Sequence, residues 1–424
     1  MVFEKTESRL LGETLYMGKH ESGLMIYVLP KPDHSKSYAS FAAKVGSIDN
    51  KFLPADDTEP FAIPDGVAHF LEHKLFEQPD GTNAFDSYSK TGASANAYTS
   101  FNMTAYLFSC TDRFYENLEI LLDFVGKPYF TDENVLKEQG IIGQEIRMYD
   151  DDPNWRVFFN LLCALYSEHS VRNDIAGTVE SISQINKDIL YKCYKTFYNP
   201  SNMVLFTCGR VDCESVAALV DKYVTANPIG EIKRFYPIEP AGVNKPLIEQ
   251  NLSVACPMFQ LGFKDSEVGI TGDELLKKQI TTEILLEMLV GHSSTLYNSL
   301  YEKGLINDTF AYECSCEEGY SYSAMGGESS DPEKVRDEIV EEIKTTDLND
   351  EEFTRCRKVM IGKFLRLFNS VEKISNAFVA SVFKGVDLLR YVEICEGITL
   401  DDVKKRRDGY LKPENCAMSV IKPY

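Results

Sequence analysis

The sequence predicts an α+β protein of two similar α/β-sandwich units, each an antiparallel-rich sheet covered by helices. Three observations carry that expectation. Short β-branched and aromatic runs alternate with longer stretches of helical periodicity in both halves of the chain. At 424 residues the chain is long for a single core, so two units are its natural division. Each half also closes on a similar motif, Asn199-Pro200-Ser201-Asn202-Met203-Val204-Leu205 and Lys412-Pro413-Glu414-Asn415-Cys416-Ala417-Met418. The separations from first strand to that motif are 159 residues (Phe41 to Pro200) and 154 (Phe259 to Pro413), as an internal duplication requires.

Taken in order, residues 10–48 read as strands, with apolar runs at 24–30 and 38–45 between turn residues. A Pro- and Asp-rich loop runs from Asp49 to Asp65, and Asp65 is placed to cap the helix that follows. Pro79-Asp80-Gly81 breaks that helix, and a short helix over 84–89 leads to a stretch over 95–108 that reads as a pair of strands or one long bent one. Residues 114–125 are amphipathic and helical. A longer helix over 131–148 starts at Thr131-Asp132-Glu133 and stops at Asp150-Asp151-Asp152-Pro153. Helices near 154–167, 181–184 and 187–197, a strand at 204–209 and a helix at 213–223 complete a first unit, 1–225. Pro228, Gly230, Pro237, Pro240, Gly242 and Pro246 mark a linker over 226–248. The second unit, 249–424, repeats the pattern. A strand at 258–263 stands where 41–45 stood, a helix at 273–290 replaces the one after Asp65, and strands at 310–314 and 320–324 replace the pair after Asn96. Helices are expected at 332–345, 350–369 and 371–383.

Composition narrows the partners. With 44% hydrophobic and 26% charged residues the chain is an ordinary globular one, and its net charge of -21 argues against nucleic acid. The eleven cysteines are scattered through apolar runs with no C-x-x-C spacing, as in a reduced, cytoplasmic protein. No run approaches membrane-spanning length, and residues 1–7 contain no basic segment leading into an apolar one, so no membrane is expected as partner.

The chemistry concentrates at Asp65-Gly66-Val67-Ala68-His69-Phe70-Leu71-Glu72-His73. His69 and His73 are four residues apart, so on a helix their side chains point about 40° apart. Two imidazoles so placed can hold one Zn2+, and Glu72 on the same side could take a proton from a water. This is H-x-x-E-H, the H-E-x-x-H zinc-protease motif reversed. A helix can also carry two core histidines and a surface glutamate for no chemical reason, and a catalytic zinc needs a third protein ligand plus an open position. The helix over 131–148 offers candidates. Glu138 and Glu145 are seven apart, about 20° from each other on one face. Their neighbours Ile141, Ile142 and Ile146 are apolar, and two part-buried carboxylates need a cation. Alone, that spacing is more often that of a solvated helix face.

Together these residues resemble the M16, or inverzincin, metallopeptidases, which include pitrilysin, insulin-degrading enzyme and the mitochondrial processing peptidases. The family pairs H-x-x-E-H with a glutamate some seventy residues later and another glutamate seven before that. Here 71 residues separate His73 from Glu145, and the family's N-A-x-T segment stands as Asn96-Ala97-Tyr98-Thr99. The resemblance spans essentially the whole chain and implies a two-unit bacterial member, half of a clamshell. It implies a zinc endopeptidase acting on peptides or unfolded segments in a closed chamber, with one Zn2+ per chain held by His69, His73 and Glu145. Glu72 would be the general base, Glu138 would fix a ligand in place, and Asn96, Ala97 and Tyr98 would form a strand edge that adds the substrate as a further strand. His169 falls where relatives often have a histidine and is read as structural, and His292 as having no site role. One departure matters. Self-sufficient members carry an Arg and a Tyr in the second unit, and Tyr301 and Asn307 stand at those positions here. The resemblance therefore implies a homodimer, or a heterodimer with a paralogue that supplies the Arg/Tyr pair. The competing class is a non-catalytic structural or interaction subunit of the same fold, whose members usually lose metal ligands.

Overall fold

The computed structural model describes residues 1–55, 57–225 and 228–424. The chain forms two compact units, neither continuous in sequence. The first comprises Met1–Ile146, Asp174–Tyr236 and Leu367–Phe383, and the second Arg147–Asn173, Pro237–Arg366 and Lys384–Tyr424.

The first unit is organised on seven strands: Phe3–Ser8 (β1), Glu13–Lys19 (β2), Met25–Pro30 (β3), Ser37–Ala43 (β4), and then, beyond the short pair Lys51–Leu53 (β5) and Phe61–Ala62 (β6), Ser94–Thr99 (β7), Thr104–Cys110 (β8) and Met203–Gly209 (β9). Their order is β1-β2-β3-β9-β4-β8-β7, with only β3 and β9 parallel. Every residue of β4 and β9 is buried, because both faces of the central strands are covered. Such strands read as unbroken apolar or small runs without alternation. The helices are Val67–Lys74 (α1), lying on β7 and β8, Ala84–Thr91 (α2), Phe114–Val125 (α3), lying on β4 and β8, and Asp132–Asp151 (α4), which belongs to this unit as far as Ile146. The helix Val371–Phe383 completes the unit. It packs on β4 and β9, with Phe378 stacked on Phe206 at a ring separation of 5.1 Å.

The second unit holds β11–β15, after a two-residue strand Lys233–Arg234 (β10) that pairs with β5 in the first. These are Leu247–Asn251 (β11), Met258–Lys264 (β12), Ala311–Cys316 (β13), Ser321–Glu328 (β14) and Cys416–Lys422 (β15). Their order, β11-β15-β12-β14-β13 with only the first pair parallel, repeats β3-β9-β4-β8-β7 strand for strand. The expected duplication is therefore present as topology. Single-turn helices at Pro200–Asn202 and Pro413–Asn415, the two matched motifs, lead into β9 and β15. The hairpins β7–β8 and β13–β14 have equal loops, closing on Thr99 opposite Thr104 and Cys316 opposite Ser321. From that register Phe41, opposite Tyr106, corresponds to Phe263, opposite Ser323. Phe259, the expected counterpart, lies four residues away. An even slip preserves which face each residue occupies, so the apolar pattern alone could not detect it.

The second sheet also takes a helix from the other half of the sequence. Pro153–Leu165 packs on β12 and β15, with the Leu161 methyls so close to Gly262 that a Cβ there would fall within 2.9 Å of them. Each half of the chain thus lends one helix to the other half's sheet.

The expected linker, 226–248, includes Ala226 and Asn227, which lie outside the described residues. The rest is anchored at both ends. Within the first unit, Arg234 Nε meets the buried Asp49 carboxylate at 3.1 Å and the Tyr236 hydroxyl donates to it at 2.9 Å. Within the second, Glu239 accepts from the backbone N–H groups of Ser167, Glu168 and His169 at 2.9, 2.8 and 2.6 Å. Among the described residues no helix is long and apolar enough to cross a membrane.

Candidate metal centre

α1 is only eight residues long, yet Val67, Ala68, His69, Phe70, Leu71 and Lys74 are all buried. Its start differs from expectation. The N-cap is Gly66 at φ 91°, with no side-chain cap, while the Asp65 carboxylate accepts from Asn50 instead. Only glycine fits there, since a Cβ on Gly66 would sit 2.5 Å from the Ala176 carbonyl oxygen. Downstream, the Tyr106 hydroxyl donates to Leu71 O at 3.2 Å and meets the Tyr198 hydroxyl at 2.9 Å, tying the helix to β8.

The helix spacing brings the imidazoles together as predicted, with ring centroids 4.5 Å apart. α4 then presents Glu145 to both. Its Oε1 is 3.8 Å from His69 Nε2 and its Oε2 3.5 Å from His73 Nε2. One ligand atom from each of the three lies within 4.8 Å of the others. One helical repeat earlier, Glu138 Oε1 pairs with His73 Nδ1 at 3.0 Å, and Glu138 Oε2 is 3.6 Å from Lys74 Nζ. Glu72 lies alongside, its Oε2 accepting from Thr99 Oγ1 at 2.7 Å.

Burial sets the charges. It drives His69 down to about 3, with the neighbouring His73 adding to the effect, so this imidazole stays neutral with a nitrogen free to bind a cation. Burial would lower His73 too, but the Glu138 hydrogen bond and the charges of Glu72, Glu145 and Glu138 outweigh it and raise its pKa. Burial likewise raises Glu72, against the Thr99 hydrogen bond, which moves this carboxylate towards the range of a working base. Glu138 is raised by burial but lowered further by the His73 hydrogen bond and Lys74, ending below the usual carboxylate range. Two imidazole nitrogens and one carboxylate facing one point form a donor set that suits zinc. Tetrahedral zinc ligands stand roughly 3.4 Å apart, and the contacts of Glu145 with the two histidines are close to that.

Asn96, Ala97 and Tyr98 lie on β7, the outermost strand beside β8, so the expected strand edge is present. The exposed Asn96 side chain turns back to accept from Ala97 N at 2.9 Å. His169 lies in the second unit, buried between the rings of Tyr166 and Tyr320. His292 is exposed against Tyr297. Tyr301 is exposed and stacks on Tyr297 at 6.0 Å, while Asn307 donates to Glu328 at 2.8 Å. Sequence reasoning missed Thr99 as the partner of Glu72, and Lys74 altogether. Glu72 and Thr99 are 27 residues apart on different elements, and no helical or strand period links them.

Two histidines, a glutamate and an adjacent acid, carried on duplicated sheet units, define the class of inverted-motif zinc metallopeptidases. Comparison with known proteins places the chain within that class. Residues 61–179 match the family profile "Insulinase (Peptidase family M16)", and residues 184–360 match "Peptidase M16 inactive domain". A Bacillus subtilis protein named "Uncharacterized zinc protease YmfH" is 47% identical over 94% of both chains. The crystal structure of an M16-like peptidase from Alicyclobacillus acidocaldarius superposes with a TM-score of 0.93 at 33% identity, covering 100% of this chain and 99% of its own. A chain of Complex III2 from Candida albicans has the same fold at a TM-score of 0.76 and 12% identity, covering 96% of this chain and 95% of its own. The chain belongs to peptidase family M16.

Proposed function

We propose that this protein is a zinc-dependent endopeptidase that hydrolyses peptides or unfolded segments inside a closed chamber, as the zinc-bearing subunit of a dimer. The observation that carries the reading is the convergence of His69, His73 and Glu145 with Glu72 beside them. Three protein ligands leave one position open, whereas a structural zinc is normally closed by four. When bound, zinc lowers the pKa of water and polarises a scissile carbonyl. The chain's own residues do the rest. Glu72, held by Thr99, takes the proton from the attacking water and returns it to the leaving amine. The free edge of β7 at Asn96-Ala97-Tyr98 takes the substrate as an added strand, a mode that reads backbone rather than side chains and suits unfolded peptides.

At the positions of the Arg/Tyr pair, Tyr301 brings no charge and Asn307 no hydroxyl. A partner subunit that is a paralogue bearing that pair stabilises the oxyanion, whereas a second copy would bring only another Tyr301 and Asn307. The same absence favours the rival reading, a non-catalytic structural or interaction subunit, and metal content decides between them. We expect one zinc per purified chain, lost in His69→Ala. Glu72→Gln is expected to keep the zinc and slow peptide cleavage by about 10²–10⁴-fold in the presence of the partner. A folded wild-type chain without zinc sinks the enzyme reading, and undiminished cleavage by Glu72→Gln removes Glu72 as the base.

A further inference from the structure

One residue beyond the second histidine, an ammonium group is shut away from solvent. The Lys74 side chain is 0% exposed. Lysine is almost never buried completely, because removing its charge from water is costly unless partners replace the hydration. Two carboxylates do so here. Lys74 Nζ pairs with Glu77 Oε2 and lies 3.6 Å from Glu138 Oε2. Glu138, itself only 6% exposed, has its other oxygen on His73 Nδ1 at 3.0 Å. The result is a continuous chain from Glu77 through Lys74 and Glu138 to His73.

The two histidines differ sharply in this respect. His73 has a carboxylate behind it, and its Nε2 faces Glu145. The buried Nδ1 of His69 has no hydrogen-bond partner among the described residues. Ring orientation at a metal ligand is normally fixed through the nitrogen that does not bind the metal. Among the described residues only His73 is fixed that way in this centre, so the aim of its Nε2 depends on that support. A carboxylate held by one oxygen can still swing about its Cγ–Cδ bond, whereas one held by both cannot.

We propose that Lys74 is a positioning residue of the metal centre. It grips Glu138 through Oε2, so that Oε1 stays on His73 Nδ1 and His73 Nε2 stays aimed at the point shared with His69 and Glu145. Lys74 touches neither the metal position nor substrate and acts only through Glu138. The proposal rests on the zinc-binding reading above.

The test is zinc affinity, measured on the full-length protein by chelator competition, for wild type, Lys74→Met, Glu138→Gln and the double variant. Lys74→Met should weaken zinc binding about 10- to 100-fold, the range typical for loss of outer support to a ligand. In the Glu138→Gln background the same change should add no more than about twofold, because the route through which Lys74 acts is already gone. A general packing defect would instead weaken both backgrounds alike, and that result overturns the proposal. So does an unaltered affinity in Lys74→Met. A zinc-free wild type overturns the functional reading and this proposal together, which separates that failure from the other two. If Lys74→Met does not fold, Lys74→Gln replaces it with the same expectations.

Discussion

The two units carry the same five-strand ladder, and behind it equivalent helices hold groups of opposite charge. Glu145 lies thirteen residues after the start of α4 at Asp132 and eight before the next helix begins at Pro153. Lys363 occupies the same offsets in the helix Asp350–Leu367, thirteen after Asp350 and eight before Val371. Glu145 faces two histidines four residues apart on the helix across from it. Lys363 faces a pair with the same spacing on the helix Gly272–Val290, but of carboxylates, Glu283 and Glu287. Its Nζ is 2.8 Å from Glu287 Oε2 and 3.2 Å from the Tyr312 hydroxyl. Glu283 is supported instead by Gln279 Nε2 at 2.9 Å and the Tyr391 hydroxyl at 3.3 Å. Even the hairpin contacts correspond, with Thr99 and Thr104 hydroxyls 3.4 Å apart in one unit and Ser321 Oγ and Cys316 Sγ 3.4 Å apart in the other. The fold therefore tolerates either arrangement. In the second unit a protein ammonium pairs with one of the two acids, Glu287, from within. In the first, two imidazoles and a carboxylate converge instead, the donor set proposed above to hold zinc.

Glu145→Lys writes the second unit's residue into the first and should have the largest effect. We expect zinc content to fall from one per chain to none while far-ultraviolet circular dichroism is unchanged. Zinc retained at one per chain would break the equivalence of Glu145 and Lys363. Gly66→Ala probes a local difference, since a Cβ on the left-handed Gly66 meets Ala176 O at 2.5 Å, whereas one on Gly272, the left-handed first residue of the helix Gly272–Val290, has only Gly385 O at 3.7 Å. Forcing an alanine to φ 91° against Ala176 O should destabilise the protein by about 1–3 kcal/mol, seen as a lower melting temperature. The smallest effect belongs to Lys363→Met. Because Lys363 is half exposed, losing its pair with Glu287 should cost about 1 kcal/mol at most and leave zinc content untouched. A change in zinc there would mean that the two sites are not independent.

The parts of the fold that could be read in advance were those with a local signature. Helices Phe114–Val125, Lys187–Phe197, Cys213–Tyr223, Pro332–Thr345 and Val371–Phe383 appear at the bounds that periodicity indicated, several of them opened by Asp or Asn caps such as Asn186, Asp212 and Asp331. β1 was not legible, because Phe-Glu-Lys-Thr-Glu-Ser is exposed along nearly its whole length and shows no alternation. Nor was the helix Leu400–Tyr410, whose charged sequence buries only Val403 and Tyr410. The site divides in the same way. The His69/His73 and Glu138/Glu145 spacings are properties of single helices and could be read directly. The pairing of His73 with Glu138, 65 residues away, and of Glu72 with Thr99 depends on how elements pack, and required the structure. Periodicity also showed that 153–165 and 371–383 have apolar faces. It could not show which sheet each would cover.

That exchange of helices has a consequence for synthesis. The sheet bearing the candidate metal centre is complete in its strands once Gly209 has been made, but Phe206 is covered only when Phe378 arrives. At about 5–20 residues per second, the ribosome takes roughly 8–34 s to cover that distance. Throughout this interval the nascent chain presents an unfinished apolar face, open to chaperones and proteases. A helix from the second half of the sequence, and not the motif-bearing first half, sets when the first unit can close its core.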